Sequence, residues 1–441
     1  MSDFDAKNET VNNADDIEIE NILGEDEEPQ EIEAPKREKP SKKLPKALAF
    51  IKSNISDGVI DRPMFIIILL LLAFGSIMVF SASYAYAYSR FGDSAYYIKN
   101  QLGYVALGIV VMLLVSKVSY TLIRTLSPLA YAGAGFLLVL VLVIGMAAGV
   151  AQRWIFIGGI SVQPSEVAKL AIILVMAWYG ERFAVRINKD NDHKKAFLWG
   201  ILFPAFIIGA VCVLVLAENH LSGTIIIFCI GIVCMWAMGA ERKWFIILGV
   251  GAGVIVATVL FIVWFKDARW NKLDDIIPSY VIKRIDMWLR PENYTVLDDT
   301  WQTVQGTIAV GSGGFFGAGF GESFQKHLFV SQPQNDFIFA IICEELGFVG
   351  AAGLIVLYIA FIYRGLVIAK NANDIYSSIV AIGIVGHVGL QALLNMLVVT
   401  AVLPNTGISL PFISYGGSSL VMLMVEMGVL LSVSRKAKID K

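Results

Sequence analysis

The sequence places charged side chains at the edges of long apolar runs. Asp336 begins such a run within "SQPQNDFIFAIICEELG", and Glu344 and Glu345 follow just inside it. A carboxylate at the mouth of a cleft can take a proton from a substrate hydroxyl, which is the chemistry of a general base. Asp336 or Asn335 could instead simply cap the helix that follows. We expect Glu344 and Glu345 to be buried structural partners of other segments rather than participants in chemistry.

A second charged group lies in "QRWIFIGGISVQPSEVAKL". Pro164 suits the first turn of a helix, and Glu166 in the same turn is favoured by the helix dipole. Lys169 follows three residues later, so it can pair with Glu166 on one helix face. The segment is therefore either an ordinary helix start with an ion pair or, together with Arg153, the lining of a polar cavity for an anionic ligand.

A third segment, "WQTVQGTIAVGSGGFFGAGFGESFQKH", is rich in glycine. Gln302 and Gln305 stand at helical spacing, glycines are dense from Gly311 to Gly321, and Lys326 follows. Dense glycine lets backbone N–H groups approach a phosphate or a sugar closely. Glycine-rich loops are also common without such a role, and the segment matches neither the P-loop nor the dinucleotide-binding pattern.

The fourth segment is "LPNTGISLPFISYGGSS", in which two prolines bracket a short loop. Residues Ser414–Gly417 interrupt the start of the last apolar run, and irregular backbone at membrane depth is tolerated where it is buried or lines a cavity. Gln391, Asn395 and Glu426 add polarity inside the apolar runs. For these three residues we favour hydrogen bonds between helices over chemistry.

The composition of the chain indicates the environment in which these charged side chains lie. The chain of 441 residues is 56% hydrophobic and 16% charged, whereas soluble domains carry about a quarter charged residues. Its apolar runs are about 20 residues long, the length that a helix needs to cross a bilayer. They do not alternate as barrel strands do. We therefore predict an all-α polytopic membrane protein.

The cysteines argue against two other kinds of site. All four fall within apolar runs, none forms a CxxC pair, and the four histidines are scattered. A disulfide framework and a zinc site are both excluded by this pattern.

We predict ten transmembrane helices. The predicted spans are Met64–Ser83, Gln101–Val118, Leu129–Ala148, Val167–Tyr179, Phe197–Ala217, Gly223–Ala240, Trp244–Phe265, Phe337–Tyr363, Ile375–Val402 and Phe412–Val433. The fourth is short, so it is either tilted or starts as early as Gln163-Pro164. Between the seventh and eighth helices lies a large loop, residues 266–335.

The distribution of lysine and arginine orients the chain. Residues 1–33 are acidic, "KREKPSKKLPK" is basic, and residues 1–60 are predicted to be a disordered cytoplasmic tail. Basic loops then recur on the same side of the membrane, which places both termini in the cytoplasm. Residues 61–435 form the membrane domain, and residues 436–441 form a short cytoplasmic tail. Asp336 and the large loop then lie on the extracytoplasmic face.

Three of the segments, "QPSEVAKL", "QNDFIFAIICEELG" and "LPNTGISLPFISYGGSS", together closely resemble the SEDS family (shape, elongation, division and sporulation) of bacterial membrane proteins. The resemblance covers residues 63–435 and includes the shorter pieces "FSAS", "IKNQLGY", "RWI" and "QALLN". Within the family, the second and third segments are more similar to the FtsW/SpoVE branch than to RodA.

This resemblance implies a peptidoglycan glycosyltransferase. Such an enzyme polymerises lipid II, a disaccharide-pentapeptide on undecaprenyl pyrophosphate, at the outer face of the bacterial cytoplasmic membrane. It implies a role in cell division or sporulation and a class B penicillin-binding protein, a transpeptidase, as partner. Membrane lipids and other divisome or elongasome proteins are further expected partners, and nucleic acid is not. No cofactor is established by the resemblance, and a divalent cation, Mg²⁺ or Mn²⁺, is a candidate.

The resemblance also assigns residues. It implies that Asp336 is the catalytic residue. The substrate-binding residues that it implies are Arg153, Gln163, Ser165, Glu166, Lys169, Gln302, Gln305, Ser414, Gly416 and Gly417. We add Lys326 from the glycine-rich segment. No metal ligand is assigned.

Two stretches depart from the family pattern. Many members read L-P-E-x-[HQ]-T-D before the eighth helix, where this chain reads "VSQPQND", so a role for that glutamate does not carry over. Many read P-D-[LF]-G at the sixth helix, where this chain reads "ENHLSG". The aspartate of that pattern is absent, and Glu218 is the candidate substitute.

Two other functions fit the same sequence. A ten-helix protein with intramembrane charges also suits a flippase or transporter of lipid II, and a scaffold that recruits a transpeptidase needs no chemistry. For a glycosyltransferase, the acceptor hydroxyl needs a base, and the leaving pyrophosphate needs positive charge. An α-linked donor and a β-linked product indicate a single inverting displacement without a covalent enzyme intermediate.

Overall fold

The protein is represented by a computed structural model that describes residue 56 and residues 58–148, 153–157, 160–188, 193–264, 279–291, 299–327 and 329–438. Nearly all of the predicted cytoplasmic tail, residues 1–60, lies outside this part. The helices are α1 Arg62–Phe91, α2 Tyr96–Ser116, α3 Tyr120–Ala148, α4 Pro164–Asn188, α5 His193–Phe197, α6 Phe203–Ala217, α7 Leu221–Ala237, α8 Arg242–Trp264, α9 Ser279–Leu289, α10 Asp299–Ser312, α11 Ile338–Lys370, α12 Ile375–Val399 and α13 Gly417–Lys436. A π-helical turn, Leu198–Leu202, joins α5 to α6.

The described chain is almost entirely helical, as predicted. Among the described residues, the strands are β1, Ile155–Ile157, and β2, Ile160–Val162, which form a hairpin and pair antiparallel with Ile155 opposite Val162. This hairpin directly precedes α4, so it brings Arg153 close to the start of that helix. Pro164 is the first residue of α4, which confirms the earlier of the two starts considered for the fourth span.

Eight described helices are long and apolar enough to cross a membrane. They are Arg62–Phe91, Tyr96–Ser116, Tyr120–Gly145, Lys194–Ala217, Arg242–Phe261, Ile338–Lys370, Ile375–Val399 and Gly417–Lys436. The helix α7 is also apolar but shorter, and α4 carries several charged residues. The many exposed apolar side chains, Phe136 and Phe206 among them, are expected of a surface that meets lipid rather than water.

The core lies around α12. This helix packs against α4, α7 and α11, while α13 packs along α2. Buried side chains such as Ile173, Ile230 and Val380 fill the space between these helices. Several of the buried polar side chains, Gln163, Lys169, Ser222 and Gln391 among them, line a polar cavity.

The predicted large loop is partly folded. Its described residues include α9 and α10, and α10 packs on α11. Residues 265–278, 292–298 and 328 lie outside the described part. The loop therefore contains structure of its own and covers the side of α11 that carries Glu344 and Glu345.

Candidate active site

A polar cavity of about 230 Å³ lies where the β-hairpin, several loops and the N-terminal ends of helices meet. It draws residues from five distant parts of the sequence. Its lining comprises Arg153, Trp154, Gln163, Glu166, Lys169, His220, Ser222, Gly223, Ile226, Asn335, Asp336, Gln391, Gly407, Ile408, Ser409, Tyr415, Gly416 and Ser419. A small extension of about 20 Å³ continues past Glu166 and Lys169 to His387 and Ser414.

Asp336 stands at the rim of this cavity, two residues before α11 begins. The N-cap of α11 is Phe337, and no side chain caps this helix, so the alternative that Asn335 or Asp336 is its cap is wrong. The backbone is instead held from two sides. Asn395 Nδ2 donates to the Asp336 carbonyl at 2.8 Å, and Ser414 Oγ donates to the Asn335 carbonyl at 2.7 Å. These bonds fix the loop and leave the Asp336 carboxylate to face the cavity.

The surroundings of Asp336 raise the pKa of its carboxyl group. Burial is the main cause, and the charge of Arg284 opposes it. A raised pKa makes a carboxylate a stronger base near neutral pH. Gly407, with φ of 68°, passes so close that an added Cβ would lie 3.0 Å from Asp336 Oδ2. A residue that favours positive φ and has no side chain is therefore required there.

Glu166 and Lys169 form the ion pair that their spacing predicts. Lys169 Nζ lies 2.8 Å from Glu166 Oε2, and the side chains are 3% and 14% exposed. Lys169 Nζ also donates to Gln391 Oε1 at 3.0 Å. Because both charged residues line the cavity, the two alternatives merge: the segment is a helix start with an ion pair, and that pair lines a polar cavity.

Arg153 contributes the second cation of the cavity lining. Its Nε donates to the Glu218 carbonyl at 3.3 Å, and its Nη2 donates to the Asn219 carbonyl. It thereby ties the hairpin to the turn between α6 and α7. The Glu218 carboxylate is buried and has no hydrogen-bond partner among the described residues. Burial raises its pKa to about 8, with Arg153 opposing the rise, and Glu218 is absent from the cavity lining.

His220 is a cavity residue that the sequence analysis missed. Its Nδ1 lies 3.2 Å from Ser165 Oγ and 3.4 Å from Gln163 Nε2. Burial lowers its pKa to about 4, assisted by the nearby Arg153, so the imidazole is neutral at pH 7. Since an amide nitrogen can only donate, Nδ1 is the acceptor and Nε2 carries the hydrogen. Scattered histidines gave no signal in the sequence, because His220 meets its partners only in the fold.

Most of the predicted site residues come together. Arg153, Gln163, Glu166, Lys169, Asp336 and Gly416 line the cavity, and Ser414 lines its extension. Ser165 contacts His220 rather than the cavity space.

Besides Ser165, four predicted substrate-binding residues line neither the cavity nor its extension: Gln302, Gln305, Lys326 and Gly417. Gln302 and Gln305 lie on α10, and the position of Gly417 faces the Tyr104 ring. Lys326 is completely buried, and its Nζ lies 2.6 Å from Glu345 Oε1. Glu345 in turn accepts a hydrogen bond from Ser81 Oγ. The cation that we added from the glycine-rich segment therefore has a structural partner on α11.

The glycine-rich segment packs against a break in α11. Gly347 has φ of 62° and interrupts that helix. Ala318 N–H donates to the Glu344 carbonyl at 2.9 Å, Gly319 N–H donates to the Glu345 carbonyl at 3.0 Å, and Phe348 N–H donates to the Gly314 carbonyl at 3.0 Å. Glu344 itself accepts hydrogen bonds from Ser323 Oγ and from backbone N–H groups. The glycines thus let the backbone of this segment approach α11 closely, which is a contact within the protein. The structural role predicted for Glu344 and Glu345 is confirmed.

A second cavity, of about 280 Å³, lies between α9, α10 and the end of α12. Its lining is mostly apolar, with Arg284 as its one charged residue. Arg284 Nη1 donates to the Asn405 carbonyl at 2.6 Å, on the same loop that carries Gly407. Because a base and an ion pair both line the polar cavity, that cavity is the candidate for chemistry.

Comparison with known proteins gives consistent matches over nearly the whole membrane domain. Residues 61–439 match the FtsW/RodA/SpoVE family, described as cell cycle proteins. Stage V sporulation protein E of Bacillus subtilis (strain 168) is 38% identical over 384 residues, which are 86% of this chain and 98% of that protein. A probable peptidoglycan glycosyltransferase FtsW of Geobacter sp. (strain M18) is 33% identical over 86% of this chain and 97% of its own length.

Solved structures share the fold. A chain from a structure described as "Structural coordination of polymerization and crosslinking by a peptidoglycan synthase complex" matches with a TM-score of 0.68 and 23% identity, over 87% of this chain and 99% of that one. The crystal structure of the Thermus thermophilus rod shape determining protein RodA matches with a TM-score of 0.58 and 23% identity, again over 87% of this chain and 99% of that one.

Proposed function

This chain belongs to the FtsW/RodA/SpoVE family of cell cycle proteins, and on that premise we propose that it is a peptidoglycan glycosyltransferase whose reaction centre is the polar cavity beside Asp336. It polymerises lipid II into glycan strands. A relative named as a probable peptidoglycan glycosyltransferase is matched over 97% of its own length, which supports the proposal.

One observation carries the proposal. A carboxylate with a raised pKa, Asp336, shares a cavity with two cationic side chains, Arg153 and Lys169. Transfer of a sugar from a lipid pyrophosphate needs these two kinds of group, a base for the acceptor and positive charge for the leaving group. The arrangement therefore matches the chemistry residue by residue.

The reaction follows from this placement. Asp336 takes the proton of the acceptor sugar hydroxyl as that oxygen attacks the anomeric carbon of the donor. The bond from the anomeric carbon to the pyrophosphate oxygen breaks, and its electron pair leaves with undecaprenyl pyrophosphate. Arg153 and Lys169 stabilise the negative charge that develops on this leaving group. Since the attack displaces the leaving group directly, the anomeric configuration inverts.

His220 adds a neutral hydrogen-bond donor to this cavity, through Nε2–H. A divalent cation remains a candidate as well. Among the described residues, no three His, Cys, Asp or Glu side chains converge as metal ligands. Mg²⁺ often takes one or two carboxylates and completes its shell with substrate phosphates and water. Asp336 or Glu166 would hold Mg²⁺ or Mn²⁺ in that way, with the pyrophosphate as the other ligand.

The chain is a multi-pass membrane protein, and we propose ten spans for it. The helices α4 and α7 would complete the eight long apolar helices. By the positive-inside rule, the basic segment before the first span lies in the cytoplasm of a bacterium, and with ten spans the C-terminus lies there too. The cavity then lies on the outer face of the cytoplasmic membrane. Lipid II is available for polymerisation on that face.

The biological setting and the partner follow from the relatives. One close relative is a sporulation protein and another is named FtsW, so we propose a role in cell division or sporulation. A structural neighbour comes from a peptidoglycan synthase complex that both polymerises and cross-links. A class B penicillin-binding protein is the proposed partner for cross-linking, with other divisome or elongasome proteins and membrane lipids around it.

The test is polymerisation by purified protein. The full chain, with and without a class B penicillin-binding protein, is given fluorescently labelled lipid II, and the products are separated by size. We expect glycan strands. Transport of lipid II across vesicles without any strands would instead establish the flippase alternative, and activity that belongs only to the partner would establish the scaffold alternative.

A further inference from the structure

A chain of buried polar groups continues from the cavity into the helix bundle, and the proposed reaction does not use its inner members. Gln391 Oε1 accepts a hydrogen bond from Lys169 and lies 2.9 Å from His387 Nε2. His387 Nδ1 lies 2.7 Å from Glu426 Oε2. Both His387 and Glu426 are buried, at 3% and 1% exposure. Ionisable side chains inside a membrane bundle are costly and usually serve function.

The Gln391 amide has a fixed orientation. Its Nε2 donates to the Ser409 carbonyl at 3.0 Å and lies 3.3 Å from Ser409 Oγ. Since a carbonyl oxygen only accepts, the amide nitrogen must face Ser409. Its oxygen is thereby directed at Lys169 and His387 together.

The same reasoning shows which ring nitrogen of His387 carries a hydrogen. An amide oxygen only accepts, so His387 Nε2 must carry a hydrogen. With Nε2–H fixed, two states remain for the contact to Glu426: a neutral imidazole that accepts from a protonated Glu426, or an imidazolium paired with a carboxylate. One proton lies between Nδ1 and Oε2 in both states, and His387 donates to Gln391 in both.

We infer that the His387–Glu426 pair is a positioning device that holds the Gln391 amide, and through it the Lys169 ammonium, at the floor of the polar cavity. This inference rests on the proposed function, in which Lys169 faces a pyrophosphate. Glu426 fixes the tautomer of His387, His387 and Ser409 fix the two ends of the Gln391 amide, and Gln391 and Glu166 hold Lys169 from two sides.

The arrangement has a physical advantage for binding an anion. An ammonium with four flexible carbons behind it loses rotamer freedom when it meets a ligand. A lysine already held by two acceptors has lost that freedom before the ligand arrives, so binding costs less. A structural role in helix packing alone would need a partner for Glu426 but would not need a donor directed at Gln391.

The two roles are separated by a matched pair of variants made in a Glu426→Gln background, which leaves no unpaired charge. The Asn side-chain nitrogen is two bonds from Cβ, as is imidazole Nδ1, whereas the Gln nitrogen is three bonds from Cβ, as is Nε2. H387N/E426Q therefore keeps a contact to residue 426 and loses the donor to Gln391. H387Q/E426Q keeps the donor and loses the contact to residue 426.

Each full-length variant is purified in detergent, its thermal unfolding is recorded, and its affinity for inorganic pyrophosphate is measured by titration calorimetry. We expect H387N/E426Q to bind pyrophosphate about tenfold more weakly than E426Q, because a displaced ammonium meets the ligand less well. H387Q/E426Q should match the E426Q control. Polymerisation of lipid II should follow the same order.

Equal affinities for H387N/E426Q and E426Q would overturn the inference, as would loss of affinity in H387Q/E426Q. Failure of both double variants to fold would show that the pair serves folding only, which also overturns it. Calorimetry does not depend on polymerisation. A wild-type protein that binds pyrophosphate with the expected variant order but makes no glycan would therefore contradict the proposed function and leave the positioning role supported.

Discussion

Two buried lysine–glutamate pairs in this protein differ in what surrounds them. In the cavity pair, Lys169 and Glu166 lie 2.8 Å apart and both line the polar cavity. In the enclosed pair, Lys326 and Glu345 lie 2.6 Å apart and both side chains are completely buried. The Lys326 ammonium also lies 4.7 Å from the centre of the Tyr84 ring, so protein surrounds it.

The comparison shows that residue type does not separate a site from a structural contact. Both lysines follow a motif in the sequence, and both seemed suited to an anionic ligand. The open space beside the ion pair makes the difference, because a ligand or water can reach Lys169 and Glu166. Lys326 instead joins the glycine-rich segment to α11 and, through Glu345, to Ser81 of α1.

The largest effect is expected from Lys326→Met. This substitution leaves the Glu345 carboxylate buried without its cation, and breaking a buried pair in this way costs about 3–5 kcal/mol. We expect the protein to be recovered poorly and to unfold at a clearly lower temperature in detergent. A K326M protein with the unfolding temperature of wild type would show that the enclosed pair does not stabilise the fold.

Lys169→Met is the matched change in the cavity pair. Glu166 remains partly exposed to the cavity, where water can solvate it, so the unfolding temperature should change less than in K326M. Polymerisation should fall about 10²-fold, the scale for removing one group that stabilises developing negative charge. Activity and unfolding are measured on the same preparation. A loss of stability without loss of specific activity would make the two pairs equivalent and remove the distinction.

A smaller effect is expected from Gly223→Ala, which tests the placement of His220. An added Cβ at Gly223 would lie 2.7 Å from His220 Nδ1 and displace the ring from Ser165 and Gln163. We expect polymerisation to fall about tenfold, since small displacements of positioned groups are costly. Gly209→Ala in α6 is the control, because nothing lies within 4 Å of its added Cβ. Equal activity of the two variants would argue against a role for His220.

The smallest effect concerns Glu218, a buried carboxyl outside both pairs. Its folded pKa of about 8 lies above the ordinary value of 4.5, so the folded state holds a proton that the unfolded state releases. Stability from this group is present at low pH and is lost as pH rises from about 5 to beyond 8. Glu218→Gln should remove this slope. Unfolding temperatures measured from pH 5 to pH 9 check it, and parallel curves for wild type and E218Q would contradict it.

The parts of the fold that depend on local sequence were predictable. The length of the apolar runs predicted the helices, and the three-residue spacing of Glu166 and Lys169 predicted their ion pair. Gln391 and Glu426 make the predicted hydrogen bonds between helices, to Lys169 and His387. Asn395 instead donates to the Asp336 and Ile408 carbonyls, which belong to loops, so for Asn395 the prediction of a bond between helices was wrong.

The shape of the cavity was not predictable from one sequence. Its walls come from segments far apart in the chain, and a single glycine, Gly407, decides how closely one loop approaches Asp336. The ion pair of Lys326 was not predictable for the same reason, because its partner Glu345 is recognisable only once the loop is folded onto α11. His220 gave no signal, since its role depends on Ser165 and Gln163 at the start of another helix.

Asp336→Asn tests whether Asp336 is the base of a glycosyltransferase. The variant keeps the size of the side chain and removes its ability to take a proton. Purified wild-type and D336N proteins are given labelled lipid II, and both binding and strand formation are measured. We predict unchanged binding and a rate of strand formation reduced about 10²–10⁴-fold, the usual contribution of a general base. Strand formation by D336N at the wild-type rate would show that Asp336 is not the base.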